Sequence, residues 1–197
     1  MSMRYIGLAL RGLCLAVVLT AAGLGQSASP APPATAVDAA VVKDFEARVT
    51  KYMDLRKKQA GSAPKPTNSA DKLTKAKEDI GAKIRAARAD AREGDIFSPE
   101  IAAYFRKQIA ATLSGPHGKR IQASLRHAEP IAGLAIKVND KYPEGVALQS
   151  TPPSLLLNLP PLPKELEYRI VDSALILRDI TPNLIVDVLR DAIHTPQ

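Results

Sequence analysis

Tryptophan is absent from this chain, cysteine occurs once, and there are only three histidines. Each scarcity excludes a class of chemistry. The lone thiol, Cys14, can form neither an intrachain disulfide nor a thiolate metal set, so packing and hydrogen bonds must hold the fold together. His117 and His127 do not share a helical face, and neither has a carboxylate or further histidine at ligand spacing; His194 lies in the C-terminal tail. No metal and no cofactor is therefore expected. With aromatics at 4% of the chain, the core must be mostly aliphatic. The stacking platforms that single-stranded nucleic acid needs are missing too, and nucleic acid is not an expected partner.

Catalytic patterns are likewise missing. There is no serine in a Gly-rich elbow and no pair of spaced acids in polar surroundings. Gly115-Pro116-His117-Gly118-Lys119-Arg120 has the wrong spacing for a phosphate loop, lacks Ser or Thr after the lysine, and follows a helix rather than a strand. We expect a protein that is not an enzyme and nominate no catalytic residue.

What is present begins with a sorting signal. Arg4 and Arg11 form a positive start, Gly12 to Gly25 is an apolar run, and small residues follow at Gly25, Ser27 and Ala28, the pattern of a secretory signal peptide over residues 1–28. The apolar run is shorter than the roughly 20 residues of a spanning helix. Arg11, Gly12 and Leu13 before Cys14 do not make a lipoprotein-type triplet. The expectation is export to the periplasm or cell envelope as a soluble protein. Loss of Arg4 and Arg11 from the 27 basic residues leaves 25 against 20 acidic ones. Such a surplus serves solubility, or it attracts anionic envelope polymers and lipid head groups.

Residues 29–37, rich in Ala and Pro, read as a tether. One compact domain follows, helical over 38–128. Apolar residues at Val41 or Val42, Phe45, Val49 and Tyr52 or Met53 predict an amphipathic helix from about Asp38 to Lys58. After a Gly/Pro linker, Ser69 or Asp71 caps a second helix expected to run to Glu93, with Gly94 as its C-terminal cap. Its stripe of Leu73, Ile80, Ile84, Ala87 and Ala91 is narrow, and its outer face carries Arg85, Arg88 and Arg92 among other cations. Ser98-Pro99-Glu100 is the clearest helix start in the chain. The wide stripe Ile101, Tyr104, Phe105, Ile109 and Leu113 makes that helix the best candidate to lie on a sheet. A short helix, Ile121 to Ala128, comes next. Seven prolines between Pro130 and Pro163 rule out long helices over 129–165, which read as an ordered strap. Within it, Ile131 to Val138 could supply an edge strand, and Leu155, Leu156, Leu157 and Leu159 are too apolar to be left in water.

Residues 166–193 are expected to form an antiparallel β region. Leu166, Tyr168 and Ile170 alternate with Glu167 and Arg169, as in a half-buried strand. Asp172-Ser173 suits a two-residue turn. Pro182 and Asn183 suit the second and third positions of another, between Ala174–Leu177 and Leu184–Leu189. Consecutive apolar residues in the second and third runs imply burial on both faces. The far face would then be covered by the Pro-rich strap or by a second copy of the protein. The fold class is α+β: three to four amphipathic helices on a small C-terminal sheet, either a β-hairpin or a three-stranded meander.

Tyr168, Val171, Leu175 to Leu177, Ile185-Val186 and Val188-Leu189 together resemble the C-terminal hairpin of small periplasmic bacterial proteins of the nickel and cobalt homeostasis type. The run from Val138-Asn139 and Tyr142-Pro143 through Leu159–Pro163 and Leu166–Arg169 is similar to a group of uncharacterised exported bacterial proteins. The resemblance implies an envelope location and a β-hairpin. It carries no functional residue across, and without a His-rich tract it implies no metal role.

Two functions follow as expectations. The first is a non-enzymatic binding or structural module of the cell envelope, with an envelope protein or a second copy as partner; Ile176 and Val186 would line the face of a homodimer. The second is a binder of anionic envelope polymer or lipid surface, with Lys119, Arg120, Arg85, Arg88 and Arg92 as contacts, the first two at a helix start whose backbone N–H groups favour anions.

Overall fold

The computed structural model describes residues 36–61, 68–127, 136–143 and 151–193. The expected signal peptide, most of the tether and of the Gly/Pro linker, Ile131 to Ala135 and His194 lie outside the described residues. Among the described residues five helices precede a three-stranded antiparallel sheet, an α+β fold with the sheet at its C-terminal end.

Helix α1 spans Ala36–Ala60 and buries Phe45, Val49 and Tyr52 at helical spacing. Helix α2, Ala70–Ala87, starts at Ser69, whose hydroxyl accepts from the Lys72 N–H. It ends well before the expected Glu93. Asn139, in a left-handed conformation, reaches across the fold and donates to the Arg85 and Arg88 carbonyls at 3.0 and 2.9 Å, capping the helix from a distant segment. Gly94, φ +91°, therefore serves the following turn and caps no helix. The predicted stripe of α2 is only partly used. Ile84 is buried and Leu73 is exposed; the close approach is made by Gly81, where a Cβ would lie 3.2 Å from Pro182.

Helix α3, Pro99–Ser114, is capped by Ser98 and buries Ile101, Phe105, Ile109 and Leu113. All three phenylalanines meet here. Phe105 lies 5.0 Å from Phe45, 5.2 Å from Phe97 and 5.8 Å from the ring of Tyr168 in the first strand. Such offset and edge-on pairs add about 0.5–1.5 kcal/mol each beyond their burial. The scarce aromatics thus weld α1, α3 and the sheet into one core. Helix α4, Gly118–His127, turns back on α3, and α5 is the single turn Pro153–Leu156. Leu155 and Leu159 are buried, but Leu156 and Leu157 are exposed, Leu157 by 84%. A single turn can bury only one side of itself.

Strands β1 (Leu166–Val171), β2 (Ala174–Asp179) and β3 (Leu184–Leu189) form a meander. Asp172 enters the first turn with φ +55°. The second turn sits one residue earlier than expected. The Asn183 N–H bonds to the Ile180 carbonyl, placing Thr181 and Pro182 at the centre, and Asn183 itself is left-handed.

The far face of the sheet is covered from within the chain. Residues 139–142 run along the outer edge of β3: Asn139 and Asp140 exchange backbone bonds with Ile185, both 2.9 Å, and the Tyr142 N–H reaches the Asn183 carbonyl at 2.7 Å. Ile136, Val138 and Tyr142 pack there on Val171, Ala174, Ile176, Ile185 and Val188. Val186 belongs to the other core, beneath the helices, and both Ile176 and Val186 are fully buried. They share no surface, which corrects the expected self-association face. The reason is a bulge. Leu177 pairs with Asp187 while Arg178 pairs with Ile185, leaving Val186 as the extra residue, so Val186 and Asp187 both turn toward the helices.

Candidate functional site

The bulge also builds the site. An inserted residue leaves the ladder, and the carbonyl of Val186 is taken up by Nη2 of Arg88 at 3.0 Å. Asp187, next along, is fully buried on the helix side and its carboxylate accepts four backbone N–H groups: Gly94 (3.1 Å), Ile96 (2.7 Å), Phe97 (2.8 Å) and its own neighbour Val188 (2.8 Å). One strand irregularity therefore fixes both the guanidinium at the end of α2 and the connection from α2 to α3.

Between that connection and α1 lies an open cleft of about 780 Å³, within the range of small-ligand sites. Its charged walls carry Arg48, Lys51 and Arg88 against Asp44, Asp90 and Asp95. Arg48 is already engaged, with Asp44 at 2.9 Å and the Asp95 carbonyl at 2.8 Å. Lys51 is exposed and makes no ion pair among the described residues.

Arg88 differs from a surface arginine. Its guanidinium carbon lies 5.1 Å from the centre of the Tyr52 ring, and Nη1 is buried with no hydrogen-bond partner among the described residues. No carboxylate lies within ion-pair distance of it among the described residues. Burial pushes its pKa down, partly offset by the fields of Tyr52, Asp95 and Asp187. A cation held so has lost water without gaining a full set of acceptors, a cost of several kcal/mol in general. Tyr52 beside it cannot serve as a nucleophile near neutral pH. Burial, then the charge of Asp179 and a 2.8 Å hydrogen bond to it, drive its pKa far up. Asp179 is itself buried; its Oδ2 also accepts from Arg56 Nε at 2.6 Å, and its Oδ1 has no partner among the described residues.

The five predicted anion contacts are not brought together as one ridge. Arg85 stays half-buried on α2, Arg88 points inward rather than outward, and Arg92 follows the helix end, exposed, its N–H bonded to Asp95 Oδ2. Lys119 and Arg120 are exposed on α4, but the N–H groups of Gly118 and Arg120 are consumed by the Gly115 and His117 carbonyls. Two of the three N–H groups expected to hold an anion there are therefore already used. Gly118 is instead a packing residue, where a Cβ would fall 1.8 Å from the Leu113 carbonyl oxygen.

Sequence reading missed Lys51 and Tyr52 as site residues and both buried aspartates. A signal for one was present: Asp187 interrupts the apolar run Leu184–Leu189, where a charge has to be anchored to something. Among the described residues no three His, Cys, Asp or Glu side chains lie together as a metal set, and no helix is long and apolar enough to cross a membrane. No protein-family model matches the chain, and neither a curated protein nor a solved structure matches it.

Proposed function

We propose that this chain is an exported, non-enzymatic binding module of the bacterial envelope, and that its ligand presents an anionic group to Arg88 in the cleft between α1 and the α2–α3 connection. One observation carries the reading. A guanidinium on the cleft wall is desolvated, fixed by Val186 and Tyr52, and keeps a nitrogen without an acceptor. An anion entering the cleft would supply that acceptor once a small shift of the Arg88 side chain brings Nη1 to the cleft surface, and Lys51 at the rim adds a second positive charge. Charge-assisted hydrogen bonds to guanidinium are the strong ones, about 1.5–3 kcal/mol each. The export signal read in residues 1–28 and the resemblance to exported proteins support the envelope location.

Calorimetric titration with inorganic phosphate tests this. We expect saturable binding that weakens about tenfold in Lys51→Glu and survives 0.3 M salt in part, because a desolvated contact is less screened than an exposed one. Binding lost entirely at that salt, and unchanged by Lys51→Glu, would favour a second reading. Lys72, Lys75, Lys77 and Lys83 on α2 are exposed and make no ion pair among the described residues, a face suited to an anionic polymer or lipid surface.

A further inference from the structure

The charges that line the cleft come in both signs. Of the three cations and three carboxylates there, Arg48 and Asp44 neutralise each other at 2.9 Å. Lys51 and Arg88 are left on one side of the balance, Asp90 and Asp95 on the other. Asp90 is exposed and makes no ion pair or side-chain hydrogen bond among the described residues. Asp95, also exposed, spends Oδ2 on the Arg92 N–H at 3.0 Å, and its charge acts on Arg88. These acids sit on backbone that is held in place. One turn, Arg88–Ala91, is closed by the Ala91 N–H on the Arg88 carbonyl at 2.9 Å, and a second, Arg92–Asp95, by the Asp95 N–H on the Arg92 carbonyl at 3.2 Å. Asn139 pins the start of this double turn through the Arg88 carbonyl, and Asp187 pins its end through the Gly94 and Ile96 N–H groups. Arg88 and Asp90 are therefore presented on one turn and Asp95 on the next, with Lys51 lining the cleft from α1.

We infer that the ligand of this cleft is a zwitterion, a short peptide with both termini free, whose carboxylate meets Arg88 and Lys51 and whose ammonium meets Asp90 and Asp95. The inference rests on the reading of Arg88 as the anion contact, with the same small shift of its side chain, and adds the cationic half of the recognition. A bare anion drawn to Arg88 and Lys51 also meets Asp90 and Asp95, which repel it. A molecule carrying one charge of each sign is attracted by all four groups, and like-charge juxtaposition is a general means of rejecting the wrong partner. Capture of a free carboxylate or a free amine by fixed polar groups is a recurring mode of peptide recognition. The space between the charges suits a body larger than a single amino acid. The cleft holds about 780 Å³, toward the upper end of the range for small-ligand sites, and its uncharged lining is apolar, with Ala47, Ala87 and Ala91 leaving room beside Leu55 and Ile96. An anionic polymer without ammonium groups, or a peptide blocked at either end, forfeits half of these contacts.

Calorimetric titration of the full chain with four probes tests this: trialanine, its N-acetylated form, its C-terminal amide, and free alanine. Trialanine should bind at one site per chain, about tenfold or more tighter than either blocked form, because each block removes one charge-assisted contact. Asp90→Asn, at an exposed side chain that holds nothing in the fold, should weaken trialanine about fivefold or more and leave N-acetyl-trialanine unchanged. N-acetyl-trialanine binding as tightly as trialanine, with Asp90→Asn silent, overturns the zwitterion and leaves the anion reading of Arg88 standing. The amide binding as tightly as trialanine overturns both, since the carboxylate then contributes nothing. Free alanine binding as tightly as trialanine overturns the assignment to a peptide. If none of the four probes binds, the inference fails, and the phosphate titration then decides the anion reading by itself.

Discussion

Replacing Asp187 by asparagine keeps the size of the side chain and removes its charge and half its acceptors. In the native protein both carboxylate oxygens are used twice: Oδ1 by Gly94 and Val188, Oδ2 by Ile96 and Phe97. Whichever oxygen becomes the amide nitrogen, two buried N–H groups face a donor. Each unsatisfied buried donor costs about 1–3 kcal/mol. Two of them would cost up to about 6 kcal/mol, and asparagine recovers part of this because a neutral amide has less to lose by burial than a carboxylate, whose pKa is raised here by desolvation against the four N–H bonds. The expected loss is about 2–4 kcal/mol, a large share of a typical stability of about 5–15. Urea denaturation should show it as a lower midpoint with an unchanged slope. Hydrogen exchange should localise it, with the amides of Ile96 and Phe97 losing protection while those of β1 keep theirs relative to global stability. A loss under about 1 kcal/mol, or undiminished protection of Ile96 and Phe97, would refute the claim that Asp187 anchors the α2–α3 connection.

Burial alone would raise the pKa of Glu167, but its hydrogen bonds and ion pairs with Arg169 and Arg178 outweigh this and hold it below the ordinary carboxylate range. Its folded pKa is depressed, so its contribution is present above the unfolded pKa of about 4.3 and is lost as pH falls through the lower folded value; acid titration of stability in Glu167→Gln should lose that part of the slope. Tyr52→Phe takes a 2.8 Å bond from a buried aspartate whose other oxygen already lacks a partner, and thermal unfolding should show about 1.5–3 kcal/mol of destabilisation. Gly118→Ala drives a Cβ into the backbone of Leu113 and should cost about 1–3 kcal/mol by urea denaturation. Ile176→Asp should unfold the protein rather than release a soluble monomer, because Ile176 is sealed beneath Ile136 and Tyr142; circular dichroism distinguishes the two.

The helices and strands were legible because each rests on a local signal. Ser98-Pro99-Glu100 starts α3 where capping chemistry says it should, and the alternation Leu166 to Ile170 puts Tyr168 on the core side. The need to cover both sheet faces was legible too, since Leu184 to Leu189 is apolar at nearly every position. What could not be read were effects of distant partners. Asn139 ends α2 from more than fifty positions away, so no residue near Ala87 announces the stop. The bulge at Val186 leaves the apolar pattern intact while reassigning faces, which is why Ile176 and Val186 read as neighbours on one face. For the same reason Arg88, spaced like its neighbours Arg85 and Arg92, gave no sign that it alone turns inward toward a freed carbonyl.

The central claim is that Arg88, and not the exposed cations, receives the ligand's negative group. Nitrogen NMR of the arginine side chains during titration with inorganic phosphate tests it most directly. The Arg88 guanidinium resonances should shift and saturate at the stoichiometry of one site, while those of Arg85, Arg92 and Arg120 barely move. Uniform, non-saturating shifts of the exposed arginines with Arg88 unchanged would contradict it.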